Sequence, residues 1–243
     1  MIAAHPYLNV AIQLVRKASR VLLSYSQDSK RIKSIKLLDG TLSTNLSQEV
    51  ESLLVEDIER KFPACKIISD GRVIRNSRSA DAWVLNPLDS SNSPTIYPGN
   101  CIKVGFQENG VMIISVVYQP EFDRIFTAVK GCGAYFNKKR LRVNRSILPK
   151  SKIAVGCAGS IRDILLQSKY DDLSNIRCSG SLALDICYTA SNFLHLTLFY
   201  GELKIFQAAP LLILEEAGAV WEKIGDSTYA AGHPQILNLI KFS

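Results

Sequence analysis

Trp83-Val84-Leu85-Asn86-Pro87-Leu88-Asp89-Ser90-Ser91 is an apolar strand that runs directly into oxygen-rich turn chemistry. Trp83, Val84 and Leu85 suit a buried strand. Pro87 cannot continue a central ladder, and Asp89, Ser90 and Ser91 are turn formers. A shorter stretch of the same kind, Ile67-Ile68-Ser69-Asp70, lies upstream. Strands that end in carboxylates and hydroxyls could hold a cation and a phosphate together, because Mg²⁺ takes oxygen ligands, usually one or two carboxylates plus phosphate oxygens. Backbone N–H groups after Asp89 could cradle phosphate oxygens. The same residues equally describe a plain turn, fixed by Pro87 and capped by Asp89. The residues alone do not separate these readings.

Outward from this turn, Leu8, Ile12, Val15, Ala18 and Leu22 recur at helical spacing. Val50, Leu53, Leu54 and Ile58 mark a second helix, stopped by Pro63. Residues 28–45 between them are polar and read as a loop. Residues 66–69 and 82–85 read as strands. Residues 102–106 and 111–118 flank Asn109-Gly110, the strongest short-range hairpin signal. Residues 125–129 and 134–136 continue an antiparallel meander. Beyond residue 153 strands and helices alternate: strand 153–156, helix 161–167, helix 182–190, strand 194–200, helix 207–217 and a closing strand at 219–222. This pattern predicts an α+β protein of layered sheets and helices. Its meander lobe would span residues 1–148 and its alternating lobe residues 149–243, joined in one compact unit.

The chain has 243 residues, 47% of them apolar and 21% charged, an ordinary globular composition. No apolar run approaches the ~20 residues that span a bilayer, and the N-terminus lacks the pattern of a signal peptide. A soluble, cytoplasmic protein is the expectation. The six cysteines show no metal-ligand spacing and suit a reducing compartment. A net charge of +7 favours anionic partners. The basic clusters Lys30, Arg31, Lys33, Lys36 and Lys138, Lys139, Arg140, Arg142, Arg145 read as solvated surface, since no aromatic residues interleave with them. His5, His195 and His233 have no spaced partner, and structural roles are expected for them.

The motif at 83–89 resembles W-[VI]-[IL]-D-P-[IL]-D of the inositol monophosphatase family, in particular its bacterial SuhB-type branch. The resemblance extends along the chain through His5-Pro6, Val117-Tyr118-Gln119-Pro120, Lys130-Gly131-Cys132-Gly133-Ala134, Gly180-Ser181-Leu182-Ala183-Leu184-Asp185 and Glu216-Ala217-Gly218. It implies the layered αβαβα sandwich of that family and Mg²⁺-dependent hydrolysis of inositol phosphate or a similar small phosphorylated alcohol. It also implies a homodimer and, through the SuhB-type branch, a possible partner in transcription or ribosomal RNA processing. The metal residues carried over are Asp70 at the family's Glu, Asn86 at the first Asp of the motif, the Leu88 carbonyl, and Asp89. Asp70 and Ser91 would orient the attacking water. Asp89, Ser90, Ser91, Asn92, Ser181 and Leu182 would contact substrate.

The family pattern is incomplete. Asn86 supplies an amide in place of a carboxylate, and Phe206 of Ile205-Phe206 stands where the family has the Asp of a W-D pair. Ser47 replaces a further Asp, and Phe199 the acid that meets the sugar ring. Two-metal catalysis needs both cations to stabilise attacking and leaving oxygens. The expectation is therefore at most one weak Mg²⁺ site, with phosphatase activity weak or lost. The alternative is a non-catalytic protein that keeps the scaffold to bind partners.

Overall fold

The computed structural model describes residues 5–36, 42–89, 99–144, 155–158, 162–163 and 176–241. Helix α1 (Pro6–Ser26) begins at Pro6, whose missing N–H costs nothing in a first turn. It buries Leu8, Ala11, Leu14, Val15, Ala18 and Leu22 on one face. Strands β1 (Ser34–Lys36) and β2 (Leu42–Thr44) pair antiparallel, so the stretch expected as a loop holds a short ladder; three-residue strands of mixed polarity leave no periodicity to read. Helix α2 (Asn45–Lys61) is capped by Thr44, whose hydroxyl oxygen accepts the Ser47 N–H at 3.1 Å.

An eight-stranded sheet follows: β3 (Lys66–Ser69), β4 (Arg72–Arg75), β5 (Ala82–Asn86), β6 (Ile102–Glu108), β7 (Val111–Gln119), β8 (Arg124–Val129), β9 (Gly133–Phe136) and β10 (Lys139–Arg140). Its order is β10-β9-β8-β7-β6-β5-β3-β4. The β6–β7 hairpin turns at Asn109 (φ 49°) and Gly110 (φ 79°), both in the left-handed region that a tight hairpin requires. Only β3 and β5 run parallel, which brings their C-terminal ends side by side.

The second sheet contains β11 (Val155–Ala158), β12 (Ile176–Arg177), β13 (Leu196–Tyr200), β14 (Val220–Lys223) and β15 (Thr228–Gly232), in the order β12-β11-β13-β15-β14. The strand expected at 219–222 is the edge strand β14, and β15 lies between it and β13. Thr-Tyr-Ala-Ala-Gly has too little apolar alternation to announce that strand. Helices α3 (Leu182–Ala190), α4 (Ala208–Glu216) and α5 (Pro234–Lys241) complete the described elements. The helix expected at 161–167 lies outside the described residues except for 162–163.

Side-chain alternation along β5 builds the layers. Trp83 and Leu85 pack with α1 and α2, while Val84 points the other way, into a cluster with Ala183, Leu184, Leu212 and Ile213 of α3 and α4. Beyond those helices lies the five-stranded sheet, whose far face packs Leu196 and Leu198 against Ile236 and Leu237 of α5. The layering is helix, sheet, helix, sheet, helix. Among the described residues no helix is long and apolar enough to cross a membrane.

Candidate functional site

The parallel β3–β5 pair places Ser69 beside Leu85, and the Asp70 N–H donates to the Leu85 carbonyl at 3.1 Å. Asp70 therefore sits next to Asn86, with its backbone at φ 50° and Gly71 behind it at φ 80°. The Asn86 side-chain amide donates to Asp70 Oδ1, while Asn86 Oδ1 is buried without a hydrogen-bond partner. Burial raises the Asp70 pKa, opposed by the Asn86 hydrogen bond.

Beyond Pro87 the chain turns so that the Asp89 N–H reaches the Cys101 carbonyl at 2.9 Å. The Asp89 carboxylate is the hub of the site. Its Oδ2 accepts the Ser181 hydroxyl and the Ala183 N–H (3.3 Å) in the first turn of α3, where the helix dipole favours an anion. Its Oδ1 accepts the Lys103 ammonium at 2.9 Å. Lys103 pairs directly across the ladder from Asn86, is 2% exposed, and holds its Nζ 4.7 Å from the centre of the Phe206 ring. Burial works to raise the Asp89 pKa, but Lys103, Ser181 and Ala183 together hold it below the usual carboxylate range.

Asp185, one turn into α3, has both carboxylate oxygens buried without a hydrogen bond. Burial pushes its pKa up to about 7; the nearby Ser179 side chain opposes the shift and the charge of Asp89 adds to it. The Cys101 thiol lies 3.6 Å from Ser181 Oγ and is raised well above the usual thiol range by burial.

The fold thus gathers Asp70, Asn86, Asp89 and Ser181 of the sequence-derived set. Leu182 opens α3 beside Ser181. Leu88 directs its side chain into the cluster under α1 and α2. Ser90, Ser91 and Asn92 lie outside the described residues. Thr44 caps α2 by accepting the Ser47 backbone N–H, and Ser47 is buried in the first turn of that helix. Phe199 is buried, stacked on Tyr229 with ring centres 5.1 Å apart.

Lys103 was not among the expected residues. Its signal was a lysine within the otherwise apolar run Ile102-Lys103-Val104-Gly105-Phe106, but its meaning depends on the β5–β6 register. The Mg²⁺ that the family implies does not fit this donor set. Asp89 already has a cation at ion-pair distance, Asn86 turns its amide N–H to Asp70 and keeps a single neutral oxygen where a shared ligand would be a carboxylate, and Phe206 offers Lys103 a ring face instead of an oxygen.

The profile of the inositol monophosphatase family matches residues 3–238. Nus factor SuhB of Vibrio cholerae is 28% identical over 226 residues, covering 89% of this chain and 84% of that protein. Inositol monophosphatase 2 of Saccharomyces cerevisiae is 30% identical over 200 residues, covering 74% of this chain and 68% of that one. In structure, the extragenic suppressor protein suhB of Bartonella henselae superposes with a TM-score of 0.84 at 20% identity, over 98% of this chain and 97% of that one. The layered architecture is therefore the fold of these proteins, and the chain belongs to the inositol monophosphatase family.

Proposed function

We propose that this protein is a non-catalytic member of its family, a binding protein in transcription in which phosphomonoesterase activity is weak or lost. One observation carries the reading: the buried Lys103 ammonium, 2.9 Å from Asp89, supplies internally the positive charge that a divalent cation would bring. A lysine ammonium has no acceptor and no open coordination position. It can neutralise Asp89 but cannot lower the pKa of a bound water as a metal ion does. Asn86 and Phe206 remove two of the carboxylate ligands that a second cation would need. The transcription role is supported by relatives named Nus factor SuhB that cover most of this chain. A cytoplasmic location and a homodimer belong to the same reading.

The test is phosphate release from inositol 1-phosphate by the purified protein, with and without Mg²⁺. The expected result is no Mg²⁺-dependent release above a no-enzyme control. Turnover at the level of ordinary enzymes, roughly 10 per second, would overturn the reading and make the chain a phosphatase for small phosphorylated alcohols.

A further inference from the structure

A cluster of aromatic rings and cations lies outside the Asp89 site, at the start of β8 and just beyond the C-terminal end of α3. The Arg124 guanidinium stands 5.0 Å from the ring centre of Phe122, 5.9 Å from Phe193 and 6.0 Å from Tyr188. It also donates to the Tyr188 hydroxyl at 3.4 Å. Phe193 packs edge-on against Phe136 and Tyr188, at 5.7 Å and 5.8 Å. These contacts pack the group on one side, yet Phe122 is 51% and Phe193 53% exposed. Large rings gathered into one half-exposed patch mark an interaction surface, as singly scattered ones do not.

The cations around the cluster point to the partner's charge. Asn137 brackets Ile125, accepting its N–H and donating to its carbonyl, so the exposed turn at Lys138 and Lys139 lies beside the Arg124 end of β8. Asn192, next to Phe193, donates to the Arg142 carbonyl at 2.9 Å, which brings the other end of the same basic segment to the cluster. The acids nearby are Glu121 and Asp123, and Asp123 is already bound by Arg16 at 3.0 Å and by the Tyr118 hydroxyl. Among the described residues no carboxylate pairs with Arg124.

We propose that this face, centred on Phe122, Arg124 and Phe193 and edged by Lys138 and Lys139, binds single-stranded nucleic acid. Flat bases stack on ring faces and on a guanidinium plane, and phosphates settle on the lysines. An acidic peptide would use the cations but has no need of two half-exposed rings beside them. The inference rests on the reading of the protein as a binding module in transcription and names the chemistry of one partner.

The probe is a fluorescein-labelled oligouridylate of about twelve nucleotides, within the span such surfaces cover, followed by anisotropy across a salt series. Phe122→Ala is expected to weaken binding roughly tenfold, within the range for loss of one base–aromatic stack, with the salt slope unchanged. The Lys138→Ala/Lys139→Ala pair is expected to flatten the slope of log K against log salt by about 1.4, two contacts at roughly 0.7 each. Among the described residues the Phe122 ring meets the Arg124 guanidinium and no other ring, so its truncation should leave the fold intact, which circular dichroism checks. Equal affinity of parent and Phe122→Ala would overturn the proposal. So would binding of polyglutamate with none of the oligouridylate, which would assign the face to an acidic protein segment. Failure here is distinguishable from failure of the non-catalytic reading, which depends on Lys103 and is decided by phosphate release.

Discussion

Replacing Lys103 with Met deletes the ammonium while keeping an unbranched side chain, so the packing beneath β5 and β6 is nearly preserved. What remains is a buried Asp89 without its cation. Removing one partner of a buried ion pair costs about 3–5 kcal/mol, because the other charge is left in a poor dielectric environment. Asp89 would retain its hydrogen bonds from Ser181 and Ala183, so the lower end, about 3 kcal/mol at about pH 8, is expected. The pH dependence follows from the Asp89 environment. In the parent its pKa is depressed, so its contribution is present above the ordinary carboxylate value of about 3.9 and is lost as pH falls through the lower folded value. Without Lys103, burial dominates and the pKa rises, Asp89 takes up a proton on mild acidification, and the loss caused by the substitution shrinks toward about pH 5. Urea unfolding followed by the fluorescence of Trp83 and Trp221 measures both quantities. Adding Asp89→Asn should cost far less in the Lys103→Met protein than in the parent, the signature of two coupled residues. A loss below about 1 kcal/mol, or one independent of pH, would refute the argument that the pair is a buried charge unit.

Asp185→Asn removes a carboxyl that resists ionisation. Because its folded pKa is raised to about 7, its contribution is complete below about 3.9 and lost as pH rises through about 7. The variant should therefore exceed the parent in stability by about 2–4 kcal/mol at about pH 8 and match it at about pH 4, in urea unfolding; a difference independent of pH would contradict this. Glu216 accepts the N–H groups of Gly131 and Gly133 at 2.6 and 2.7 Å, tying the β8–β9 turn to α4. Glu216→Ala should cost about 2 kcal/mol and Glu216→Gln about half of that; equal losses would show that the two hydrogen bonds do not act through both oxygens.

The layers were legible because their signals are local. The apolar spacing from Leu8 to Leu22 names α1, Asn109-Gly110 names a hairpin, and the continuous apolar run Trp83-Val84-Leu85 suits a strand buried on both faces. The ordered motifs along the chain then resembled one family. The interior of the site was less legible. Lys103 acquires meaning only when β6 pairs antiparallel with β5 and sets it opposite Asn86. A shift of one residue would send its side chain to the other face. Asp185 reads as an ordinary residue of a helix first turn until α3 is buried between the sheets. The Phe122–Arg124–Phe193 cluster joins residues about seventy positions apart, so no window of sequence contains it. Small-residue β15 escaped for the opposite reason: it carries no pattern of its own and is held by neighbours on both sides.

The central claim is that the Lys103 ammonium takes the place of a metal ion on Asp89, and calorimetric titration with Mg²⁺ tests it most directly. The account predicts no saturable heat for the parent, and none for Asn86→Asp/Phe206→Asp while Lys103 remains, with binding emerging only when Lys103→Ser is added to that pair. Saturable Mg²⁺ binding by the parent protein that Asp89→Asn abolishes would contradict it.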